Sequence, residues 1–175
     1  NHNDAMLEQI SNKGNGNYAF IDTDAEARKV LVEQMSSTLV TIAKDVKIQI
    51  EFNPAQVAAY RLIGYENRLL AAEDFHDDKK DAGEIGAGHT VTVLYESAPP
   101  GVAGTQPEVD PLVYQGESAP TEAAGSGELF TLKIRFKAPY GSKSKLRTYP
   151  VRDDGLTLGS ASDDFRFAAA VAAFG

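Results

Sequence analysis

The spacing of apolar residues along the chain changes near residue 40. Before that point, apolar residues recur every three or four positions, first in Met6, Leu7 and Ile10 and then in Ala27, Val30, Leu31 and Met35. This is the period of an amphipathic helix. A short apolar run at residues 18–21 separates the two helical patterns and predicts a strand. Residues 1–40 are therefore predicted to form a helix, a strand and a second helix.

Capping residues support both helices of this segment. Asn3 or Asp4 is placed to cap the first helix, because a short polar side chain there can accept a free N–H of the first turn. Thr23, followed three residues later by Glu26, has the spacing of a capping box for the second helix.

From about residue 41 onward, apolar and polar residues alternate, as they do in strands with one buried face. The alternation predicts five strands, at residues 46–52, 58–65, 89–96, 130–137 and 146–151. No helical pattern separates them, which favours an antiparallel β-sandwich. The residues predicted to point into its core are Val46, Ile48, Ile50, Phe52, Val91, Val93, Leu132, Ile134 and Phe136.

The predicted fold class is therefore α+β, with an N-terminal αβα segment (1–40), a β-sandwich domain (41–164) and a terminal helix (165–175). Ser162, followed by two aspartates, is a suitable cap for that last helix. Residues 98–127 are rich in Pro, Gly, Ser and Ala, and this composition predicts a long mobile loop within the sandwich domain.

Composition narrows the classes of function. The 175 residues carry 17 basic and 25 acidic side chains, a net charge of −8, and no basic stripe that could neutralise phosphates, so no nucleic-acid partner is predicted. The chain has no cysteine, which excludes disulfides and a thiolate nucleophile. No apolar run approaches the roughly 20 residues that span a bilayer, so no membrane contact by this chain is predicted.

The stretch "EDFHDDKKDAGEIGAGHTVTVLYE", residues 73–96, is the strongest candidate for a metal or catalytic site. Counted from Asp74 or from Asp77, it lacks the glycine at position six and the glutamate at position twelve of an EF-hand, and "GEIGAG" lacks the ending of a phosphate-binding loop. Asp74, Asp77 and Asp78 stay weak metal candidates only. The preferred interpretation is a solvated acidic loop (residues 74–89) with Ile85 facing inward, a glycine turn and then a strand.

The other polar groups show no catalytic pattern. The three histidines lack the spacing of metal ligands, and the chain contains no G-x-S-x-G nucleophile motif. A group of aromatic and basic residues could form a surface patch, although strand packing with Arg stems covering it is preferred. The histidines are His2, His76 and His89. The aromatic and basic residues of the possible patch are Tyr60, Arg61, Tyr65 and Arg68. We therefore predict no enzyme activity, no catalytic residue and no cofactor in this chain.

Several stretches resemble known protein families. "MLEQISNKGNGNYAFIDTDAEARKVLVEQM" is similar to the final αβα of a von Willebrand factor type A domain, which has a Rossmann-like fold. "TIAKDVKIQIEFNPAQVAAYRLIGYENRLL" and "DFHDDKKDAGEIGAGHTVTVLYE" resemble the region that follows this domain in bacterial YfbK-type proteins, and "DDFRFAAAVAAFG" resembles the closing helix of that region. The resemblance thus implies that residues 1–40 are the C-terminal remnant of a type A domain.

The resemblance also implies an exported bacterial protein of the periplasm or cell surface, often lipid-anchored. The export signal and the anchor would lie upstream, since the chain begins Asn-His-Asn without an initiator Met and is expected to be an excised piece. A divalent metal, Mg or Ca, is expected in the missing part of the type A domain. Its Asp-x-Ser-x-Ser motif does not occur here, so no metal ligand is carried over.

Three hypotheses for function follow. The first is a non-catalytic accessory module that supports adhesion or binding of an unknown protein partner. The second is a hydrolase-like enzyme with its site in the acidic loop, and the third is a calcium-stabilised module.

The apolar faces within residues 1–40 lack the rest of their sheet. We expect this segment to fold back on the sandwich, to pair with a second copy as a dimer, or to be partly disordered.

Overall fold

The computed structural model describes residues 3–13, 18–33, 40–64, 69–102 and 119–174. Its helices are α1 (Asp4–Lys13), α2 (Asp24–Arg28, continued by a π-helical turn at Lys29–Glu33) and α3 (Asp163–Phe174). Its strands are β1 (Thr41–Phe52), β2 (Ala59–Ile63), β3 (Gly83–Gly86), β4 (Leu94–Ala98), β5 (Phe130–Lys137) and β6 (Ser144–Val151). Short 3₁₀ turns lie at Ala72–Phe75, Glu122–Ser126 and Leu158–Ser160.

Each of the three described helices begins directly after a residue predicted to cap it. A side-chain oxygen accepts the backbone N–H of the residue three positions later, at 3.2 Å in each case. The accepting residues are Asn3, Thr23 and Ser162. Each bond satisfies one of the N–H groups that the first turn of a helix leaves without a partner. The local polar pattern therefore fixes the helix starts.

The six strands form two antiparallel sheets, which together with the C-terminal helix confirm the predicted α+β class. One sheet has four strands in the order β3-β1-β5-β6, and the other pairs β2 with β4. In the smaller sheet the register runs without interruption from Ala59 opposite Ala98 to Ile63 opposite Leu94.

Contacts divide the chain into two compact units. The first comprises residues 1–48, 70–91 and 134–147, and the second comprises residues 49–69, 92–133 and 148–175. Strands β1, β5 and β6 contribute residues to both. Among the described residues, one large apolar residue is buried in each unit, Phe75 in the first and Val57 in the second.

Four aromatic side chains of the second unit, one each from β1, β2, β4 and β5, pack against one another. The ring of Phe52 stacks on Tyr60 with centroids 4.2 Å apart and meets Tyr95 and Phe130 edge-on at 5.4 and 5.7 Å. Such pairs stabilise beyond the area they bury. Tyr60 takes part in this packing but is 60% exposed, so the choice between strand packing and a surface patch stays a prediction. The neighbouring Arg61 pairs across the sheet with Glu96. Tyr65 and Arg68, the other members of the predicted patch, lie outside the described residues.

Several predicted strand positions are wrong. Residues 18–21 lie outside the six strands, and strand β4 begins only at Leu94, so that Val91 precedes it and is 46% exposed. Strand β3 was not predicted at all, because two of its four residues are glycines, which are rare in strands. The Gly83–Gly86 stretch is nevertheless held in place by pairing with β1.

The predicted orientation of β1 is also wrong at its centre. Ile48 is 44% exposed, whereas Lys47, predicted to face solvent, is only 3% exposed. The register between β1 and β3 shifts twice, with one extra β1 residue between Thr41 and Ala43 and another between Ala43 and Val46. Such a bulge re-aims the side chains around it, so simple alternation does not give the burial of this strand.

Part of the predicted mobile loop is structured. Ala98 still belongs to β4, and residues 122–126 form a 3₁₀ turn. The side-chain amide of Asn53 donates to the carbonyl oxygens of Ala124 at 3.0 Å and Glu128 at 2.8 Å. These bonds tie the end of the predicted loop to the end of β1. Residues 103–118, the rest of that prediction, lie outside the described residues.

Candidate functional site

The acidic loop is held on the four-stranded sheet by two buried lysines. The ammonium group of Lys47, on β1, donates to the backbone carbonyls of Asp74 at 2.9 Å and of Asp77. The ammonium group of Lys137, on β5, donates to the carbonyl of Asp78 at 2.7 Å. We call Asp45, Lys47 and Lys137 the lysine cluster.

Asp45 is the acidic member of the lysine cluster, and its carboxylate joins Lys137 to the acidic loop. Its φ angle of 51° is left-handed, a conformation that Asp tolerates better than most residues, and it lies within the bulge of β1. One carboxylate oxygen accepts the Lys137 ammonium at 2.7 Å, and the other accepts the N–H of Ala82 at 3.3 Å. The bulge thus directs one carboxylate at both β5 and the end of the acidic loop.

The pKa values in this region follow from these contacts. Burial alone would raise the pKa of Asp45, but hydrogen bonds from Lys137 and Ala82 and the charge of Lys137 hold that pKa below its usual value. The hydrogen bond to Asp45 raises the pKa of Lys137. The ion pair therefore stays charged over a wide pH range, and it links the bulge to the acidic loop throughout that range.

The aspartates predicted as candidate metal ligands point to different partners. The Asp74 carboxylate pairs with the Lys80 ammonium at 3.0 Å. Asp77 accepts the N–H of the residue two positions later at 2.8 Å, and Asp78 accepts the Ser144 N–H at 3.2 Å. The Ser144 hydroxyl and N–H lower the pKa of Asp78. Within the part of the chain that the structure describes, no group of three or more His, Cys, Asp or Glu side chains could hold a metal ion.

The two described histidines also have local roles. His76 Nδ1 lies 3.0 Å from a guanidinium nitrogen of Arg135, and the same Arg135 covers the ring of buried Phe75, with its central carbon 5.5 Å from the ring centroid. His89 donates its backbone N–H to Gly86 at 3.1 Å. His2 lies outside the described residues. These contacts anchor the acidic loop to the protein, while its residues 76–81 stay exposed.

The two ammonium groups of the lysine cluster bind the carbonyl oxygens of this loop, as a bound metal cation does in other loops. Carbonyl and carboxylate oxygens are the ligands of calcium in proteins, and here three such carbonyls accept hydrogen bonds from ammonium groups. Sequence reasoning missed Lys47 and Lys137 because lysines at alternate positions of a strand normally mark its solvent face, and lysines are almost never fully buried unless paired. No local signal distinguishes these two from the other lysines on the same strands.

A cleft of about 280 Å³ lies in the second unit, beside the end of β1. Its polar lining includes Glu51, Asn53 and Glu128. Glu51 pairs with Lys133 at 2.6 Å, and Asn53 uses its amide N–H groups on two carbonyls and its oxygen on the N–H of Ala55. The asparagine at this cleft therefore stabilises the loop connections around it.

Comparison with known sequences identifies the family. Residues 37–175 match the family described as "Uncharacterized protein YfbK, C-terminal". The chain belongs to the YfbK C-terminal domain family. The whole chain is 47% identical over 175 residues to the "Uncharacterized protein YfbK" of Escherichia coli (strain K12). No solved structure matches.

The extent of these matches separates two parts of the chain. The lysine cluster and all six strands lie within the range that matches the YfbK C-terminal domain family, whereas α1 and α2 lie before it. The match to the Escherichia coli protein includes α1 and α2 as well, and the chain spans 29% of the length of that relative. No described helix is both long and apolar enough to cross a bilayer.

Proposed function

We propose that this chain is a non-catalytic accessory module of a larger bacterial cell-envelope protein and that it supports protein–protein interaction or adhesion. In this proposal residues 1–40 are the end of a von Willebrand factor type A domain, and the larger protein lies in the periplasm or at the cell surface. Any divalent metal belongs to the missing part of that domain, not to this chain.

The observation that carries the proposal is how the polar groups of the acidic loop are used. A hydrolytic site needs a nucleophile or two carboxylates that converge on one point. Here Asp74, Asp77 and Asp78 bind separate partners in the protein, and their carbonyls accept the two buried lysines. These contacts support a structural role for residues 73–96, the stretch that the sequence indicates as the strongest site candidate.

The exposed apolar residues of α1 and the π-helical turn support the placement within a larger protein. Met6, Ile10 and Leu31 are each more than half exposed, and exposing large apolar side chains forfeits roughly 1.5–3 kcal/mol for each that could be buried. Such a surface is expected where another part of a longer protein covers it.

The test compares the full-length protein with a version that lacks residues 41–174. Both are expressed in the native host, cross-linked in intact cells and captured, and the co-purifying envelope proteins are quantified. We expect the deletion to remove specific partners while leaving export unchanged, as measured by cell fractionation. An identical set of partners would contradict the interaction role, and recovery of both proteins in the cytoplasm would contradict the cell-envelope location.

A further inference from the structure

Strand β6 is an exposed edge of the four-stranded sheet. Among the described strands it has β5 as its single neighbour, and all residues from 145 to 150 are exposed. The edge of a sheet presents N–H and C=O groups that can pair with another extended chain. The outer side of β6 is therefore a place where such a chain could add.

The hydrogen bonds at the two ends of β6 identify its outward-facing groups. The carbonyl oxygen of Val151 accepts the N–H of Leu129, the residue before β5, at 2.7 Å. Every second residue counted back from Val151 therefore directs its main-chain N–H and C=O groups toward β5. Because these groups alternate along an antiparallel strand, the remaining residues face the open side. They are Ser144, Leu146, Thr148 and Pro150.

The open side is closed at both ends. The N–H of Ser144 is bonded to the Asp78 carboxylate at 3.2 Å, and Pro150 has no N–H to offer. The N–H groups of Leu146 and Thr148 lie between them. The edge is thus limited to a short segment that fits a few residues of an added strand.

The side chains of this edge are basic in an otherwise acidic chain. Lys143, Lys145 and Arg147 are exposed, none forms an ion pair with a described carboxylate, and no Asp or Glu occurs from residue 138 to residue 152, although the net charge of the chain is −8. Lys145 and Arg147 share a strand face with Tyr149, which is 48% exposed. This face is complementary to a chain that carries carboxylates at alternate positions.

Charge also argues against a second copy of this chain or a nucleic acid as the ligand of the β6 edge. Antiparallel pairing of β6 with a second copy would bring Lys145 and Arg147 of both copies together, and like charges across strands are destabilising. Nucleic acid would meet three cations on a chain whose net charge repels phosphate. An extended acidic protein segment satisfies both the main-chain groups and the side-chain charges.

We propose that β6 binds an extended, carboxylate-bearing segment of a partner protein by strand addition. Leu146 and Thr148 exchange main-chain hydrogen bonds with the added strand, and Lys145 and Arg147 pair with its carboxylates. This inference rests on the proposed interaction role and names the chemistry of the partner.

The test uses a fluorescent ten-residue peptide in which Glu alternates with Val and Thr. Two comparison peptides carry N-methyl groups at every second residue or Lys in place of Glu. Binding to the 175-residue chain is measured by fluorescence anisotropy, and the site is located by backbone amide shifts. We expect shifts at Leu146 and Thr148, and affinity at least about tenfold weaker for both comparison peptides and for K145E and R147E, whereas K79E, in the acidic loop, binds as the wild type does.

Several outcomes would overturn the proposal. One is equal binding of the N-methylated peptide, because the attraction would then not involve main-chain pairing. Another is preferential binding of a short DNA duplex or of phosphatidylglycerol vesicles at Lys145 and Arg147. A third is self-association that R147E abolishes, since β6 would then hold a second copy. The fourth is no measurable binding of the Glu peptide.

The same variants separate this proposal from the proposed function. If the full-length protein loses its captured partners on deletion of residues 41–174 but keeps them with K145E and R147E, strand addition at β6 is wrong and the interaction role stands. If the deletion itself changes nothing, the interaction role is wrong.

Discussion

Replacing Lys47 by methionine tests whether the lysine cluster holds the acidic loop. Methionine has nearly the length of lysine but no ammonium group, so K47M fills the same space on β1 while removing the one group that donates both hydrogen bonds. The carbonyls of Asp74 and Asp77 then lose the hydrogen bonds that join them to the sheet. Because Lys47 is only 3% exposed, water does not readily take its place.

The expected cost follows from these two bonds. A hydrogen bond to a charged group contributes about 1.5–3 kcal/mol, so the pair contributes about 3–6 kcal/mol before offsets. The variant no longer has to desolvate an ammonium group, which returns part of this sum, and the carbonyl of Asp77 lies in an exposed residue that water can reach. We expect a net loss of about 2–4 kcal/mol in the free energy of unfolding, or about 4–16 °C in melting temperature.

Urea unfolding followed by circular dichroism measures this loss, and hydrogen exchange locates it. The N–H of Ala82 and the N–H of Ser144, which bond Asp45 and Asp78, should lose protection more than amides of the β2–β4 sheet. The matched control is K133M, on the same strand as Lys137. Lys133 pairs with a Glu51 side chain that is 66% exposed, and such a surface pair contributes less than about 1 kcal/mol.

The reasoning is refuted if K47M unfolds within about 0.5 kcal/mol of the wild type, the range of ordinary surface substitutions. It is also refuted if K133M costs as much as K47M. In either case the carbonyls of the acidic loop would not depend on the lysine cluster for their stability.

Three further predictions concern neighbouring features. Because the pKa of Asp45 lies below its usual value of 3.8, its contribution to stability is present above about pH 4 and is lost as the pH falls through the folded-state pKa; D45N should flatten the acid dependence of urea unfolding, and an unchanged slope would contradict this. Millimolar Ca²⁺ should leave the melting temperature unchanged, since the loop carbonyls already bind ammonium groups, and a rise would show that the native state binds the ion. N53A should cost about 1–3 kcal/mol by removing the donors to Ala124 and Glu128, whereas an unchanged urea midpoint would mean that the end of the 119–128 segment is held by other contacts.

The sequence predicted those parts of the fold that local pattern controls. Caps at Asn3, Thr23 and Ser162 give the helix starts because each acts within one turn. Alternation gives β1 and β5 because long strands repeat the pattern often enough to be recognised. Strand β3 depends on pairing with β1 rather than on its own residues, so a stretch with two glycines gives no signal.

The candidate site was less predictable, because it depends on contacts between distant residues. Asp45 and Lys137 are 92 positions apart, and nothing near either residue indicates that they meet. The bulge that gives Asp45 a positive φ has no glycine to mark it. The acidic residues were visible in the sequence, but whether their oxygens bind a metal, a substrate or the chain's own lysines is decided by the sheet beneath them.

The most direct test of the lysine cluster is the exchange rate of its two ammonium groups, measured by nitrogen-15 NMR on the 175-residue chain. The account predicts two slowly exchanging lysine ammonium signals, one absent in K47M and the other absent in K137M, with scalar or dipolar contacts to residues 74–78. Ammonium protons of Lys47 and Lys137 that exchange as fast as those of exposed Lys79 would contradict it, because the acidic loop would then not be held by buried lysines.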